Sequence, residues 1–228
     1  MCEKPVVSIS KKTKPSEKYW LTRLESCAKA LTKNGFSAIV VDRIEDAAKA
    51  AAEIIEKLAP RTIGYADSRT MHRSGILNVI RQDDRRTLID GFDPSKERAE
   101  NLLTRRQALL SDLFLTGANA VTEKGELVWL DMIGNRIAAV AFGPEHVLLF
   151  IGRNKLTPDL ESARQRIKTL AAPMNALAHA TFKTPCRTTA RCHDCNSPDR
   201  ICNGWLILEK CFPKERIAVI LINEDLGY

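Results

Sequence analysis

The sequence predicts an α/β fold with a mostly parallel β-sheet. Short runs of β-branched residues alternate with helical patterns through the first half of the chain, which is typical of strands joined by crossover helices. The 228 residues, 44% of them hydrophobic, suffice for one sizeable core, and no internal repeat or flexible linker divides them. Residues 1–15 lack periodicity and are rich in Lys, Ser and Pro. We therefore expect a disordered basic tail over residues 1–15 and a single domain over residues 16–228.

The elements of the first half follow from residue spacing. A helix is predicted from Ser16 to the stop at Asn34-Gly35, because apolar residues recur at helical spacing between them. The next segments are predicted in this order: strand SAIVV, an Ala-rich helix over Ile44–Ala59, strand RTIGY, a loop ADSRTMHRSG entering a helix near Met71–Ile80, and strand RTLID. The segment SKERAENLLTRRQALL then predicts a helix with Ser95 as its cap.

The second half is richer in strands. AVTEKGELVWLD has two β-prone arms around a Lys124-Gly125 turn and predicts a hairpin. IAAVAF is short and apolar, so its periodicity fits a helix or a strand equally. VLLFIG predicts a buried strand, Thr157–Leu170 a helix starting just before Pro158, and GWLILEK and RIAVILIN two closing strands.

Charge and hydropathy restrict the classes of partner. A net charge of +7 and a pI near 9.1 favour anionic partners, whereas an aromatic content of 6% and the lack of a recognised motif argue against nucleic acid. No apolar run approaches the roughly 18 to 20 residues of a membrane span, and the N-terminus has no apolar signal region. The expectation is a cytoplasmic protein without a membrane partner.

A cysteine-rich segment, TPCRTTARCHDCNSPDRICNGW over residues 184–205, holds four of the seven cysteines. Cys192 and Cys195 form a C-x2-C knuckle, a spacing that lets two thiolates converge on one ion, and Cys186 and Cys202 flank it. The spacing matches neither a paired zinc ribbon nor the bacterial ferredoxin run. Because a reducing compartment disfavours structural disulfides, we interpret the segment as a metal site. A redox disulfide and four reduced thiols are the alternatives.

Two further stretches contain candidate site residues. In GYADSRTMHRSGIL a predicted strand ends in a hydroxyl-bearing loop before a helix, and Ser68 and Thr70 there would help to cradle an anion. In TGANAVTEKGELV, Glu123 lies beside a turn and is a candidate nucleophile or base. The alternative for Ser68 and Thr70 is an ordinary capped turn between strand and helix. The alternative for Glu123 is a solvated hairpin residue without a catalytic role.

Six segments, in order, resemble one family. GYADSRT, TGANAVTEKGELV, GNRIAAVAFGPEHVLLFIGRNK, AAPMNA, the TPC…CHDC…RIC segment and INEDLGY are similar to the LUD-domain (lactate utilization protein C, YkgG-like) family. The resemblance implies a Rossmann-like, mostly parallel sheet of the NagB/RpiA/CoA-transferase type with a small antiparallel addition. It also implies a cleft lined by Ser68, Thr70, Glu123, Gly125 and Asn135, with Glu123 as nucleophile by analogy of fold.

The resemblance further implies a role in oxidising L-lactate to pyruvate together with iron–sulfur partner proteins. Short family members need not carry the cysteines, whereas this chain does. The leading hypothesis is therefore an electron-transfer accessory to lactate or organic-acid oxidation, with a [4Fe–4S] cluster, or alternatively zinc, on the four cysteines. One alternative is a transferase- or isomerase-type enzyme acting on a small phosphorylated, carboxylate or CoA ligand, with structural zinc. The other is a non-catalytic ligand-binding or assembly subunit.

The hypothesis also names partners. They are a small anionic substrate and an iron–sulfur or other redox partner protein, and self-association into a homo-oligomer is left open. Arg187, Arg191 and Arg200, which lie between the cysteines, would orient an acidic partner or a carboxylate.

Overall fold

The computed structural model describes residues 15–228. The expectation of a disordered tail therefore lies outside the described residues, except that Pro15 begins the first helix. The helices are α1 (Pro15–Lys33), α2 (Ile44–Leu58), α3 (Arg69–Ser74), α4 (Ile76–Arg81), α5 (Arg98–Gln107), α6 (Asn135–Ala141), α7 (Leu160–Arg166), α8 (Ala172–Leu177) and α9 (Pro185–Thr189). The strands are β1 (Ser37–Val41), β2 (Thr62–Tyr65), β3 (Thr87–Ile89), β4 (Leu113–Thr116), β5 (Ala120–Thr122), β6 (Leu127–Asp131), β7 (His146–Gly152), β8 (Leu156–Thr157), β9 (Gly204–Leu208) and β10 (Ile217–Ile222).

The main sheet has six strands in the order β1-β10-β7-β4-β2-β3, and all its pairings are parallel. Its central strands β7 and β10 are nearly continuous apolar runs, as expected for parallel strands that are covered on both faces. Helices pack on both sides of it. The sheet confirms the predicted Rossmann-like α/β architecture.

A second sheet has the order β8-β5-β6-β9. The predicted hairpin forms its antiparallel pair β5–β6, β9 adds antiparallel to β6, and the two-residue strand β8 pairs parallel with β5. This mainly antiparallel sheet is the small addition that the family resemblance implied. Its Trp129 side chain is fully buried, and Nε1 donates a hydrogen bond of 2.8 Å to the carbonyl of Gly117 between the two sheets.

Apolar side chains fill both faces of the main sheet. On one face, buried residues of α1, α6 and the second sheet pack together, among them Cys27, which is a core residue as its helical stripe suggests. On the other face, α2, α3 and α4 cover the sheet. Within residues 15–228 no helix combines the length and the apolar character needed to cross a bilayer.

Four local predictions are refined or wrong. The helix expected near residues 71–80 is split into α3 and α4 at Gly75. Ser95 does not cap α5, because its N–H and Oγ donate to Asp93 and the helix begins only at residue 98. The helix expected from Thr157 begins at residue 160, because Asp159 caps it by accepting a hydrogen bond of 2.7 Å from Ser162 N. The ambiguous segment IAAVAF is helical as far as Ala141, where α6 ends.

Candidate functional site

The carboxyl ends of four neighbouring strands meet at one edge of the main sheet. In the order β10, β7, β4, β2, these strands are followed by residues 223–228, 153–155, 117–119 and 66–68. In open parallel sheets, ligands bind in the crevice outside the carboxyl ends of the strands. The side chains on these four connections therefore define the first candidate site, which we call the carboxyl edge.

Ser68 and Thr70, both predicted site residues, lie at the carboxyl edge. Ser68 is the N-cap of α3, and its Oγ accepts a hydrogen bond of 3.4 Å from Met71 N. Thr70 is fully buried, and its Oγ1 donates to the carbonyl of Leu226 at 3.2 Å and accepts from Lys155 Nζ at 3.1 Å. The structure thus joins the Thr70 hydroxyl to a lysine that the sequence analysis did not identify.

Lys155 is a buried cation, with a relative exposure of 5%. Burial, and then the charges of Arg166 and Arg136, lower the pKa of its amine from 10.5 to about 7. Among residues 15–228, no carboxylate lies within 4 Å of Lys155 Nζ or of the Arg166 guanidinium. A buried cation without a carboxylate partner is costly to the fold, and such groups concentrate at functional sites.

Asn119 and Asn154 hold the two arginines beside this lysine. The carbonyl of Asn119 accepts a hydrogen bond of 2.8 Å from Arg166 Nη1, and its side-chain oxygen accepts one of 3.1 Å from Arg136 Nη2. Arg166 Nε donates to the carbonyl of Asn154, the residue before Lys155, at 2.8 Å. Burial lowers the pKa of Arg166 to about 10. Lys155, Arg166 and Arg136 form what we call the cation cluster.

The other predicted cleft residues have different surroundings. Glu123 faces α1, where its Oε1 accepts a hydrogen bond of 2.7 Å from Arg23 Nε and forms a salt bridge of 2.6 Å with Arg23 Nη2. Gly125 has a φ of +77°, and a Cβ there would lie 2.7 Å from the backbone of Ala30, so this turn needs glycine to approach α1. Asn135 is the first residue of α6, next to Arg136 of the cation cluster. The structure therefore joins Ser68 and Thr70, but it places Glu123 and Gly125 against α1.

The second candidate site is a pocket lined by the four cysteines, which we call the thiol pocket. Cys186 lies on α9, the other three lie on the loop that leads to β9, and Ala172 and Pro173 of α8 form part of the wall. Cys186, Cys192, Cys195 and Cys202 are free thiols and half-buried. The fold thus gathers all four predicted ligands around one space.

Salt bridges and hydrogen bonds fix the loop around the thiol pocket. Arg200 donates to the carbonyls of Cys195 and Cys202 and to Asp194 Oδ1, the last at 2.8 Å. Lys168 Nζ reaches the same Asp194 oxygen at 2.8 Å from the π-helical segment Ile167–Ala171, which joins α7 to α8. Two cations therefore lie beside the cysteines, and one aspartate holds both.

The electrostatics of the thiols reflect this arrangement. Burial raises the pKa of the Cys202 thiol, the charges of Arg200 and Lys168 lower it, and those of Cys192 and Cys195 raise it. Cys211 does not line the pocket; it is buried elsewhere, and its Sγ donates to the carbonyl of Pro213. In the described part of the chain, no three Cys, His, Asp or Glu side chains are close enough to form a ready-made metal site. The thiols would have to move closer together to hold an ion.

Comparison with known proteins identifies the family. The family model of the LUD domain matches residues 24–222, which include the main sheet, the cation cluster and the thiol pocket. The chain belongs to the LUD-domain family. This family is associated with lactate utilization.

A solved structure of a DUF162 family protein from Deinococcus radiodurans matches the chain with a TM-score of 0.47 and 14% sequence identity. The match covers 90% of this chain and 97% of that chain. No curated protein matches the chain.

Sequence reasoning missed the cation cluster. Lys155 and Arg166 lie in the short motifs GRNK and SARQRIK, which resemble any solvated basic stretch. One indication was available, because RNK directly follows the buried strand VLLFIG and so had to leave the carboxyl end of a parallel strand.

Proposed function

We propose that this LUD-domain protein is an electron-transfer accessory to the oxidation of lactate or a related organic acid. Cys186, Cys192, Cys195 and Cys202 would hold a [4Fe–4S] cluster. The observation that supports this most directly is the convergence of these four thiols, from a helix and a long loop, on one pocket. The family's association with lactate utilization supports the organic-acid part of the proposal.

The chemistry of the pocket fits such a group. Four thiolates carry four negative charges, and the adjacent Lys168 and Arg200 would offset part of them. Arg200 bonds to the backbone at two of the cysteines, so it would hold their segment while the side chains turn inward. A bound cluster of this kind supplies reversible one-electron transfer, with a potential set by charge, hydrogen bonds and exposure.

The surface around the pocket suits the proposed partner. Arg187 on α9 and Arg191 on the loop are exposed beside the half-buried thiols. A cationic rim of this kind would steer an acidic redox protein towards the pocket and would weaken as salt is added. The alternative of a transferase with Glu123 as nucleophile requires Glu123 to leave its salt bridge with Arg23.

Metal and acid-labile sulfide analysis of anaerobically purified protein tests the proposal. We expect iron and sulfide in equal amounts with a broad visible absorption, and their loss in the Cys192→Ser/Cys195→Ser double variant. Cys211→Ser is the matched control, because it removes a buried thiol outside the pocket. Zinc without sulfide would exclude the electron-transfer role and favour a structural site. Protein without metal would contradict the proposal altogether.

A further inference from the structure

The cation cluster has hydrogen-bond donors without partners. Arg136 Nε and Arg166 Nη2 are buried, and among the described residues neither has an acceptor. Thr116 Oγ1, at the carboxyl end of β4, is also buried and without a partner among them. Leaving such groups unpaired is unfavourable, so native proteins pair nearly all of them, and an exception calls for an explanation.

The charges at this position are also unbalanced. Lys155 and Arg166 have no carboxylate within 4 Å among the described residues, and Arg136 has Asp131 only at 3.6 Å. The acidic Asp67, on the loop after β2, is held by His72 Nε2 at 3.0 Å. Lys155 and Arg166 therefore lack a carboxylate partner among the described residues, whereas Asp131 balances part of the charge of Arg136.

We propose that the cation cluster binds the oxyanion group, a carboxylate or a phosphate, of a small ligand. Arg166 Nη2 and Arg136 Nε would donate hydrogen bonds to the oxyanion, and Lys155 would add its positive charge. Charge-assisted hydrogen bonds to guanidinium and ammonium groups are strong, and they also remove the unfavourable unpaired donors. This site contains none of the cysteines, so it does not depend on the metal content of the thiol pocket.

The walls of the site restrict the size of the ligand. Asn154 holds the segment after β10, because its side chain accepts from Leu226 N at 3.0 Å and donates to the carbonyl of Gly227 at 3.3 Å. A Cβ at Gly227 would lie 2.9 Å from Thr70 Oγ1 and 3.3 Å from Lys155 Nζ, so this segment passes directly against the lysine. The close packing favours a small oxyanion group over a bulky one.

Ligand-induced thermal stabilisation of the full-length protein tests the proposal. The probes are pyruvate, L-lactate and inorganic phosphate, with sodium chloride at matched ionic strength as the reference. The variants are Lys155→Met and Arg166→Gln. The matched control is Arg164→Gln, which changes an exposed arginine two positions before Arg166 on the same helix. Circular dichroism establishes that each variant is folded.

We expect at least one of the three oxyanions to raise the melting temperature of the wild type saturably. Lys155→Met and Arg166→Gln should each weaken that binding about tenfold or more, since each removes a charge-assisted contact, whereas Arg164→Gln should bind as the wild type does. A response to pyruvate or lactate but not phosphate identifies a carboxylate site, and the converse identifies a phosphate site. If no probe gives a saturable response, or if Lys155→Met responds like the wild type, the proposal is overturned. If Arg166→Gln does not fold, the ligand-induced shift in the melting temperature of Lys155→Met still tests the proposal.

Discussion

Replacing Lys155 by methionine is expected to stabilise the protein at neutral pH. The pKa of this amine is about 7 in the folded protein and 10.5 for an ordinary lysine. Each pKa unit corresponds to about 1.4 kcal/mol, so burying the lysine costs about 4 kcal/mol at pH 7. Methionine fills a similar volume without the charge, and Thr70 Oγ1 keeps its bond to the carbonyl of Leu226. After allowance for the lost bond to Thr70, we expect a gain of about 2 to 4 kcal/mol in the free energy of unfolding.

The pH dependence provides the sharper measurement. Because the folded protein holds Lys155 at the lower pKa, the unfolded chain binds more protons between pH 7 and 10.5, and the free energy of unfolding rises with pH across that window. For this residue the rise is about 2 kcal/mol from pH 7 to pH 9. Urea unfolding at pH 7, 8 and 9 should show this rise in the wild type and its loss in Lys155→Met.

An exposed lysine supplies the control. Lys57→Met, in the last turn of α2, should leave the pH dependence of the wild type unchanged. If Lys155→Met and the wild type show the same slope between pH 7 and 9, the amine is not held at a low pKa. The electrostatic argument for the cation cluster would then lose its support, whereas the unpaired donors would still require an explanation.

Three further predictions concern other close contacts. Gly125→Ala should lower the free energy of unfolding by about 1 to 3 kcal/mol in urea titrations, since its Cβ would lie 2.7 Å from the backbone of Ala30. Arg216→Met should lower it by about 3 kcal/mol or more, because this buried guanidinium donates four hydrogen bonds to three backbone carbonyls, and an unchanged midpoint would refute that role. Gly227→Ala should weaken oxyanion binding in calorimetric titrations, because its Cβ would lie 2.9 Å from Thr70 Oγ1; unaltered affinity would exclude this segment as a wall of the site.

The strands illustrate how far local pattern determines the fold. RIAVILIN and VLLFIG are apolar runs that predict buried strands, and both are central in the main sheet. Local pattern does not determine which strands lie next to them in the sheet. The last strand, β10, lies between β1 and β7, because parallel pairing joins segments that are far apart in the chain. The start of the helix predicted from Thr157 was wrong for a related reason, because Thr157 pairs with Thr122 in the second sheet and the helix begins after Asp159.

The two candidate sites also differ in how far the local sequence predicts them. The cysteines lie within one segment, so their spacing alone predicted that they act together, and the structure places all four around one pocket. The sequence alone also predicted the α/β class, and it identified Ser68 and Thr70 as candidate site residues. Only the tertiary structure decided that Lys155 bonds to Thr70, that Arg166 bonds to the backbone of Asn154 next to it, and that Glu123 turns to α1. Residue type and periodicity are local properties, whereas burial, and with it a shifted pKa or an unpaired donor, exists only after distant strands have paired.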